Sequence, residues 1–225
     1  MILSSHQSGY FPYLGYFQKL DAADIFIVMD SVDYSSGDFI SRNRIKTKDG
    51  TQMLSVPCSH HAGEKIKDVR ISSQIWRKKH LKSIKQNYSK APHFQRYESW
   101  LEKLYAIKWT KISDLNWHIL KAIVAELEID TKLIKMSDHE FSGQKSELIL
   151  DMCLQLNCDH FIFGANGKDY AQPKLFYDAG VSISFQEYQH PIYSQLHGDF
   201  IPNMCILDLL MCKGGDSLDV IRGKE

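Results

Sequence analysis

The chain has 225 residues with 27 Lys+Arg against 27 Asp+Glu, so its formal net charge is zero. That balance argues against a protein that grips nucleic acid through bulk charge, and no DNA partner is expected. Hydrophobic residues make up 44% and charged residues 24%, ordinary for a globular protein, and no apolar run approaches the ~20 residues that cross a bilayer. The start of the chain lacks a signal peptide's basic segment and long apolar centre, because Ser4-Ser5-His6 interrupts it at once. The five cysteines (58, 153, 158, 205 and 212) are odd in number and read as reduced thiols, so a cytoplasmic protein without membrane insertion is expected. Cys153 and Cys158 lack a second cysteine or histidine pair nearby, and no metal site is expected. The charge is unevenly placed: residues 1–110 carry 17 Lys+Arg against 10 Asp+Glu. That surplus suits a local anion site, such as one for a pyrophosphate, and equally suits two halves that attract each other.

In chain order, Met1 to Leu3 read as a short strand running into a polar elbow, Ser4-Ser5-His6-Gln7. A helix is predicted from about Tyr13 to Asp21, and Ile25-Phe26-Ile27-Val28-Met29 is an apolar strand ending on Asp30. Strand, helix and strand in about thirty residues is a parallel βαβ unit, whose ligands bind beyond the carboxyl ends of the strands. Arg42-Asn43-Arg44 and Lys46 follow as a basic tail, then Asp49-Gly50 marks a hairpin turn that Pro57 closes off. Ser59 to Lys65 reads as an exposed loop, and Val69 to Ile71 as another short strand.

Gln74 to Lys90 is predicted to be helix, with Trp76, His80, Ile84 and Tyr88 as its core stripe. Residues 93–128 read as two more helices, the second capped by Ser113. Lys132 to Met136 is strand-like, Ser146 to Asn157 helical, and His160-Phe161-Ile162-Phe163 a buried strand ending on Gly164-Ala165-Asn166-Gly167. Pro173 to Ala179 is a helix closed by Gly180, and Val181 to Phe185 the next strand. Gln186 to Gln195 is dense in polar and aromatic groups; Asp199 to Gly214 is predicted as a last helix before a polar tail. The pattern predicts a single α/β domain over residues 1–225, with a mainly parallel, Rossmann-like sheet and residues 74–128 as a helical insertion.

His6-Gln7, Tyr10-Phe11-Pro12, Leu14-Gly15-Tyr16-Phe17, Asp30, Arg42-Asn43-Arg44-Ile45-Lys46, Trp76-Arg77-Lys78-Lys79-His80 and Tyr188-Gln189-His190-Pro191-Ile192-Tyr193 stand in this order along the chain. Together they resemble the WbqC-like protein family. One departure is Ser8-Gly9, where the family commonly has Pro-Asn after the His-Gln pair. The resemblance implies a role in O-antigen or other surface-polysaccharide biosynthesis, as an amino-acid (glycine) transferase acting on amino sugars. The layout of the first unit is also similar to the nucleotidylyltransferase or HUP superfamily, although the His-x-x-His and His-x-Gly-His spacings are absent.

An enzyme that forms an amide on the amino group of a dTDP- or UDP-linked deoxyamino sugar needs a base for the amine, and His6 and His190 are the candidates. Asp30 is a candidate to orient a histidine or bind a sugar hydroxyl, and Lys145 to stabilise an oxyanion along with Gly164, Asn166 and Gly167. Arg42, Arg44 and Arg77, with Lys46 and His80, are candidates for the pyrophosphate. Tyr10, Tyr13 and Tyr193 are candidates to stack on base or sugar, and Gln7, Asn43, Gln186 and Glu187 to complete substrate binding. No cofactor is defined beyond an activated acyl or aminoacyl donor of open type. A bland reading stands beside each: an exposed positive helix face such as Arg77 to Lys90 is more commonly solvated, and aromatic stripes more commonly fill a core. Two other functions remain open, a non-catalytic nucleotide-sugar-binding partner in the same pathway and a Mg²⁺-dependent nucleotidyltransferase.

Overall fold

The computed structural model describes residues 1–224. Strand β1 (Ile2–Gln7) leads through a Gly9–Pro12 elbow to helix α1 (Leu14–Asp21) and strand β2 (Ile25–Met29), the predicted βαβ unit, except that Ser4 to Gln7, read from sequence as the elbow, continue the strand. A hairpin follows, β3 (Arg42–Thr47) and β4 (Gly50–Ser55), then a two-residue ladder of β5 (Cys58–Ser59) and β6 (Arg70–Ile71). Helices α2 (Ile75–Tyr88), α3 (Phe94–Ala106) and α4 (Ile112–Glu126) come next. The βα alternation returns with β7 (Lys132–Lys135), α5 (Ser146–Gln155), β8 (His160–Phe163), α6 (Pro173–Asp178) and β9 (Ser182–Phe185), and the chain ends in α7 (Ile206–Lys213) and α8 (Ser217–Ile221). No helix among the described residues is long and apolar enough to cross a membrane.

These elements form two compact units. The first comprises residues 1–7, 15–31 and 129–189; the second comprises 8–14, 32–128 and 190–225. Residues 74–128 therefore cluster with the hairpin and the last helices.

The first unit is built on a five-stranded, all-parallel sheet in the order β7-β2-β1-β8-β9, a Rossmann-like α/β arrangement. Inner strands β2 and β8 carry near-continuous apolar runs because helices cover both faces of such a sheet, whereas β1 turns polar from Ser4 onward. Leu3, Phe26, Ile27, Phe161 and Phe163 are essentially inaccessible to solvent. Helix α6 starts on Pro173, whose missing N–H costs nothing in a first turn, and Gly180 follows it at φ +74°. From β1 the chain steps to β2 and β7 on one side, whereas β8 and β9 lie on the other. The order therefore reverses between β1 and β8, and a crevice opens at the carboxyl ends of strands at such a reversal.

The second unit packs the hairpin and helices around aromatic side chains. Trp76, His80, Ile84 and Tyr88 are the buried stripe of α2, as their four-residue spacing predicts. Three expectations differ from what is observed. Residues 199–205 are not helical: Asn203 adopts φ +60° and the amides of Cys205 and Ile206 donate to Arg44 and Pro12 carbonyls, so apolar burial there is reached with extended backbone. Helix α4 begins at Ile112, and Ser113 is a buried first-turn residue in place of a cap. The tail carries α8, whose Val220 and Ile221 are buried.

Candidate functional site

Several of the candidate groups stand at the carboxyl edge of the parallel sheet, in the first unit. Strand β1 pairs with β8 through Leu3↔Phe161 and Ser4↔Ile162, so continuing the register sets His6 level with Gly164. His6 is half-buried, its ring 4.9 Å from that of Tyr16 on α1. Its Nδ1 lies 3.1 Å from the Gln7 carbonyl, which fixes the tautomer, because a carbonyl only accepts: Nδ1 carries the proton and Nε2 is bare. No described residue donates to Nε2. Burial, with the charge of Lys19 next in weight, pushes the imidazole down to about 3, against a smaller upward pull from the Gln7 carbonyl. His6 is thus neutral at pH 7 with an available lone pair.

Lys19 does not stand out in the sequence, yet it is the most unusual group at this edge. It sits in the last turn of α1 and is only 3% exposed. Its Nζ donates to the Ser5 carbonyl at 2.8 Å, and no carboxylate among the described residues lies within ion-pairing distance. Burial lowers its pKa to about 8, so most of it remains an ammonium at neutral pH. A signal for it exists: α1 is a short crossover helix in which Leu14, Tyr16, Phe17 and Leu20 are all buried, so little of its surface is free to face water. The hydroxyl of Tyr16, whose ring packs against His6, is buried without a partner among the described residues.

Beyond β8 the chain turns through a 3₁₀ segment, Ala165–Asp169. Gly167 donates to the Gly164 carbonyl at 2.8 Å, and its lack of a side chain is obligatory, since a Cβ there would sit 2.6 Å from Phe163 Cβ. Asn166 is exposed. Gln186, just after β9, donates to the Gly15 carbonyl at 2.7 Å and to Gln18 Oε1 at 2.6 Å, tying the start of α1 to the end of β9. Glu187 is exposed and paired with Lys168 at 3.3 Å. Gln7 is half-buried at the end of β1. Lys145 is exposed at φ +51° just before α5, and Asp30 is committed elsewhere: both of its oxygens accept from Ser137, at 2.9 Å from the amide and 2.7 Å from the hydroxyl.

In the second unit most of the remaining candidates are already satisfied. Tyr10 is fully buried, its hydroxyl 2.9 Å from His80 Nδ1 and 2.6 Å from the Tyr105 hydroxyl. Burial lowers His80 to about 4. Asn43 donates to the carbonyls of Tyr10 and Phe11 and accepts from the Arg44 amide at 2.8 Å, which locks the elbow. Arg77 Nη1 meets the carbonyls of Tyr105, Ala106 and Ile107 at 2.9, 2.8 and 3.1 Å, capping the carboxyl end of α3. Lys46 is buried with Nζ 2.5 Å from the Asp199 carbonyl. Tyr193 donates at 2.8 Å to Asp208, a fully buried carboxylate that also accepts from Tyr88 and Gln195.

His190 accepts the Asn203 amide on Nε2 at 3.1 Å while Nδ1 faces the Pro191 carbonyl at 2.8 Å, so its lone pair is in use. Arg42 and Arg44 are half-buried on one face of the hairpin, Arg42 donating to the Gly37 carbonyl and Arg44 lying 5.9 Å over the Phe39 ring. Their Nε atoms have no partner among the described residues. Tyr13 is half-buried and forms a bridge with Cys205. Burial pushes Cys58 up to about 11 and Cys153, Cys205 and Cys212 to about 12, so none is poised as a thiolate nucleophile. No group of three or more metal-ligating side chains occurs among the described residues.

The fold and this edge define a Rossmann-like α/β protein with a half-buried histidine and a buried lysine where the strand order reverses. A sequence model of the WbqC-like protein family matches residues 7–220. The chain is also 33% identical over 220 residues to a Mycobacterium tuberculosis protein described as uncharacterized, covering 96% of this chain and 95% of that protein. The chain belongs to the WbqC-like protein family.

Proposed function

We propose that the protein is a transferase of surface-polysaccharide biosynthesis that forms an amide on the amino group of a dTDP- or UDP-linked deoxyamino sugar, with His6 as the base. One observation carries this reading: His6 stands at the carboxyl end of the central strand with Nδ1 held by a carbonyl and Nε2 bare. An amine attacks an acyl carbon through its lone pair, so the nitrogen must shed a proton as the C–N bond forms. His6 Nε2 takes that proton. The bond from the acyl carbon to its leaving group breaks with its electron pair going to the leaving group, which receives the proton back from the imidazolium. The amides at the start of the Ala165–Asp169 turn, before Gly167, and the Asn166 side chain are the donors offered to the tetrahedral oxyanion. The donor is an activated acyl or aminoacyl group, glycyl being the one the family suggests.

The test is a transfer assay with nucleotide-linked amino sugars and activated glycine, read by mass spectrometry, with binding followed separately by calorimetry. His6→Gln should lose about 100-fold or more in turnover while sugar-nucleotide affinity stays within a few-fold. Binding of the amino sugar by the wild type with no turnover on any activated donor would sink the transferase reading and leave a nucleotide-sugar-binding protein. Nucleotide-dependent release of pyrophosphate would move the assignment to nucleotidyl transfer.

A further inference from the structure

Lys19 has no role in the reaction just described, and it is a costly group to keep. An ammonium has three N–H donors, and among the described residues one carbonyl, that of Ser5, accepts one of them. A buried charge without a partner is strongly unfavourable, and natural interiors pair such charges or neutralise them. Its place in the last turn of α1 lets the carboxyl-terminal end of the helix dipole offset part of the cost, but leaves two N–H groups unused.

There is room for a side-chain atom beside the ammonium. A Cβ built on Gly164 would meet Lys19 Nζ at 3.4 Å and no other heavy atom within 4 Å, chain neighbours aside. Gly164 has φ −69° and ψ 169°, a backbone that any residue adopts, so its bareness is not a demand of the turn. Glycine there leaves a vacant volume next to an ammonium, at the strand reversal and level with His6.

We propose that the Lys19 ammonium is the floor of an anion subsite, opening over Gly164, that receives an oxyanion of the substrate: a phosphoryl oxygen of the sugar nucleotide or a carboxylate oxygen of the donor. An oxyanion there completes the lysine's hydrogen bonds and neutralises its charge. Neutralisation has a second effect, because Lys19 is one of the two causes that hold the His6 imidazole unprotonated. Occupying the subsite makes His6 a stronger proton acceptor, so the base is switched on by the substrate that needs it. The inference rests on the sheet edge being the substrate site, as the transferase reading has it, but not on which reaction occurs there.

The test titrates the whole protein with inorganic pyrophosphate and, separately, with acetate at constant ionic strength. It reads the melting temperature and the His6 imidazole resonances. Pyrophosphate or acetate should raise the melting temperature and raise the pH at which the His6 resonances titrate, and which of them does so names the source of the oxyanion. Lys19→Met should weaken that response at least ten-fold. Gly164→Ala, which fills the volume without straining the backbone, should weaken it too and serves if Lys19→Met fails to fold. No response from the wild type to either probe, or an equal response in both variants, overturns the subsite. Lys19-dependent binding with His6→Gln still turning over would instead refute the reaction and leave the subsite standing. Loss of turnover in His6→Gln with unchanged binding in Lys19→Met and Gly164→Ala would do the reverse.

Discussion

The two units hold their histidines and their buried charges differently. In the second unit two buried networks close on themselves, although side-chain nitrogens of Arg42, Arg44, Trp76, Arg77 and Trp100 lack partners among the described residues. Asp208 accepts from Tyr88, Tyr193 and Gln195, with Tyr88 also accepting from the Lys46 amide at 2.9 Å, and His80 joins Tyr10 and Tyr105. In the first unit, at the edge of the parallel sheet, Lys19, the Nε2 of His6 and the hydroxyl of Tyr16 are buried or half-buried with bonds left to make. Satisfied networks hold a fold in one state, and unsatisfied donors and acceptors are kept where something else completes them. The contrast separates His6 from His190, which look equivalent as histidines near strand ends. One has an idle lone pair and the other is engaged by the Asn203 amide.

The largest effect expected from this comparison is kinetic. His6→Gln should remove turnover with little change in melting temperature, whereas His190→Gln, which loses a bond to the Asn203 amide, should show chiefly in the melt. Swapped outcomes would break the distinction. Next in size is Asp208→Ala, which leaves the donors of two tyrosine hydroxyls without their acceptor in the core and should cost about 3 kcal/mol in denaturant unfolding. Burial raises the Asp208 pKa despite its three donors. The group therefore favours folding most below its unfolded pKa, and that contribution is lost as pH rises through the folded value. Asp208→Asn should accordingly cost less than alanine, and its disadvantage should shrink as pH rises.

Smaller and opposite in sign is Lys19→Met. Its depressed pKa means that the stability lysine contributes is full only above about 10.5 and is lost as pH falls through about 8. Removing the uncompensated charge should stabilise the protein at pH 7 by about 1 kcal/mol even as anion binding fails. A fall in stability instead would mean that the lysine is there for packing. The gentlest test is acid. His6 and His80 are held down to about 3 and about 4, mainly by burial, so the unfolded chain binds their protons first. Their contribution to stability is present above about pH 6.5 and is lost as pH falls towards those values, and His80→Gln should flatten the decline of melting temperature between pH 6.5 and 4.

Much of the fold is legible because the first unit obeys simple periodicity. Ile25–Met29 and His160–Phe163 are short apolar runs beside amphipathic helices, and such alternation has few solutions other than a parallel sheet. The region around Asp199–Gly214 misleads because Met204, Ile206, Leu207 and Leu210 bury themselves whether the backbone before Ile206 is helical or extended, and spacing alone does not tell these apart. The site is less legible than the fold. Tyr10, Asn43, Arg77 and His80 have the chemistry of ligand binders, and only their hydrogen-bond partners, which are distant in sequence, show that chemistry already spent. Lys19 is hidden for the converse reason. A lysine in the last turn of a helix reads as a solvated cation, and only burial against Ser5 and the space over Gly164 make it unusual.

The pairing of β1 with β8 also sets a timetable for synthesis. Ser4 donates to the Ile162 carbonyl 158 positions further along the chain. At about 5–20 residues per second, β1 emerges from the ribosome roughly 8 to 32 seconds before the strand that covers its flank. Its partner β2 arrives almost at once, so through that interval β1 is an open sheet edge with unpaired amides, the kind of surface on which nascent chains stick to one another. Folding of the parallel sheet must wait for the last third of the chain, and a chain cut short before Phe163 keeps that edge open for good.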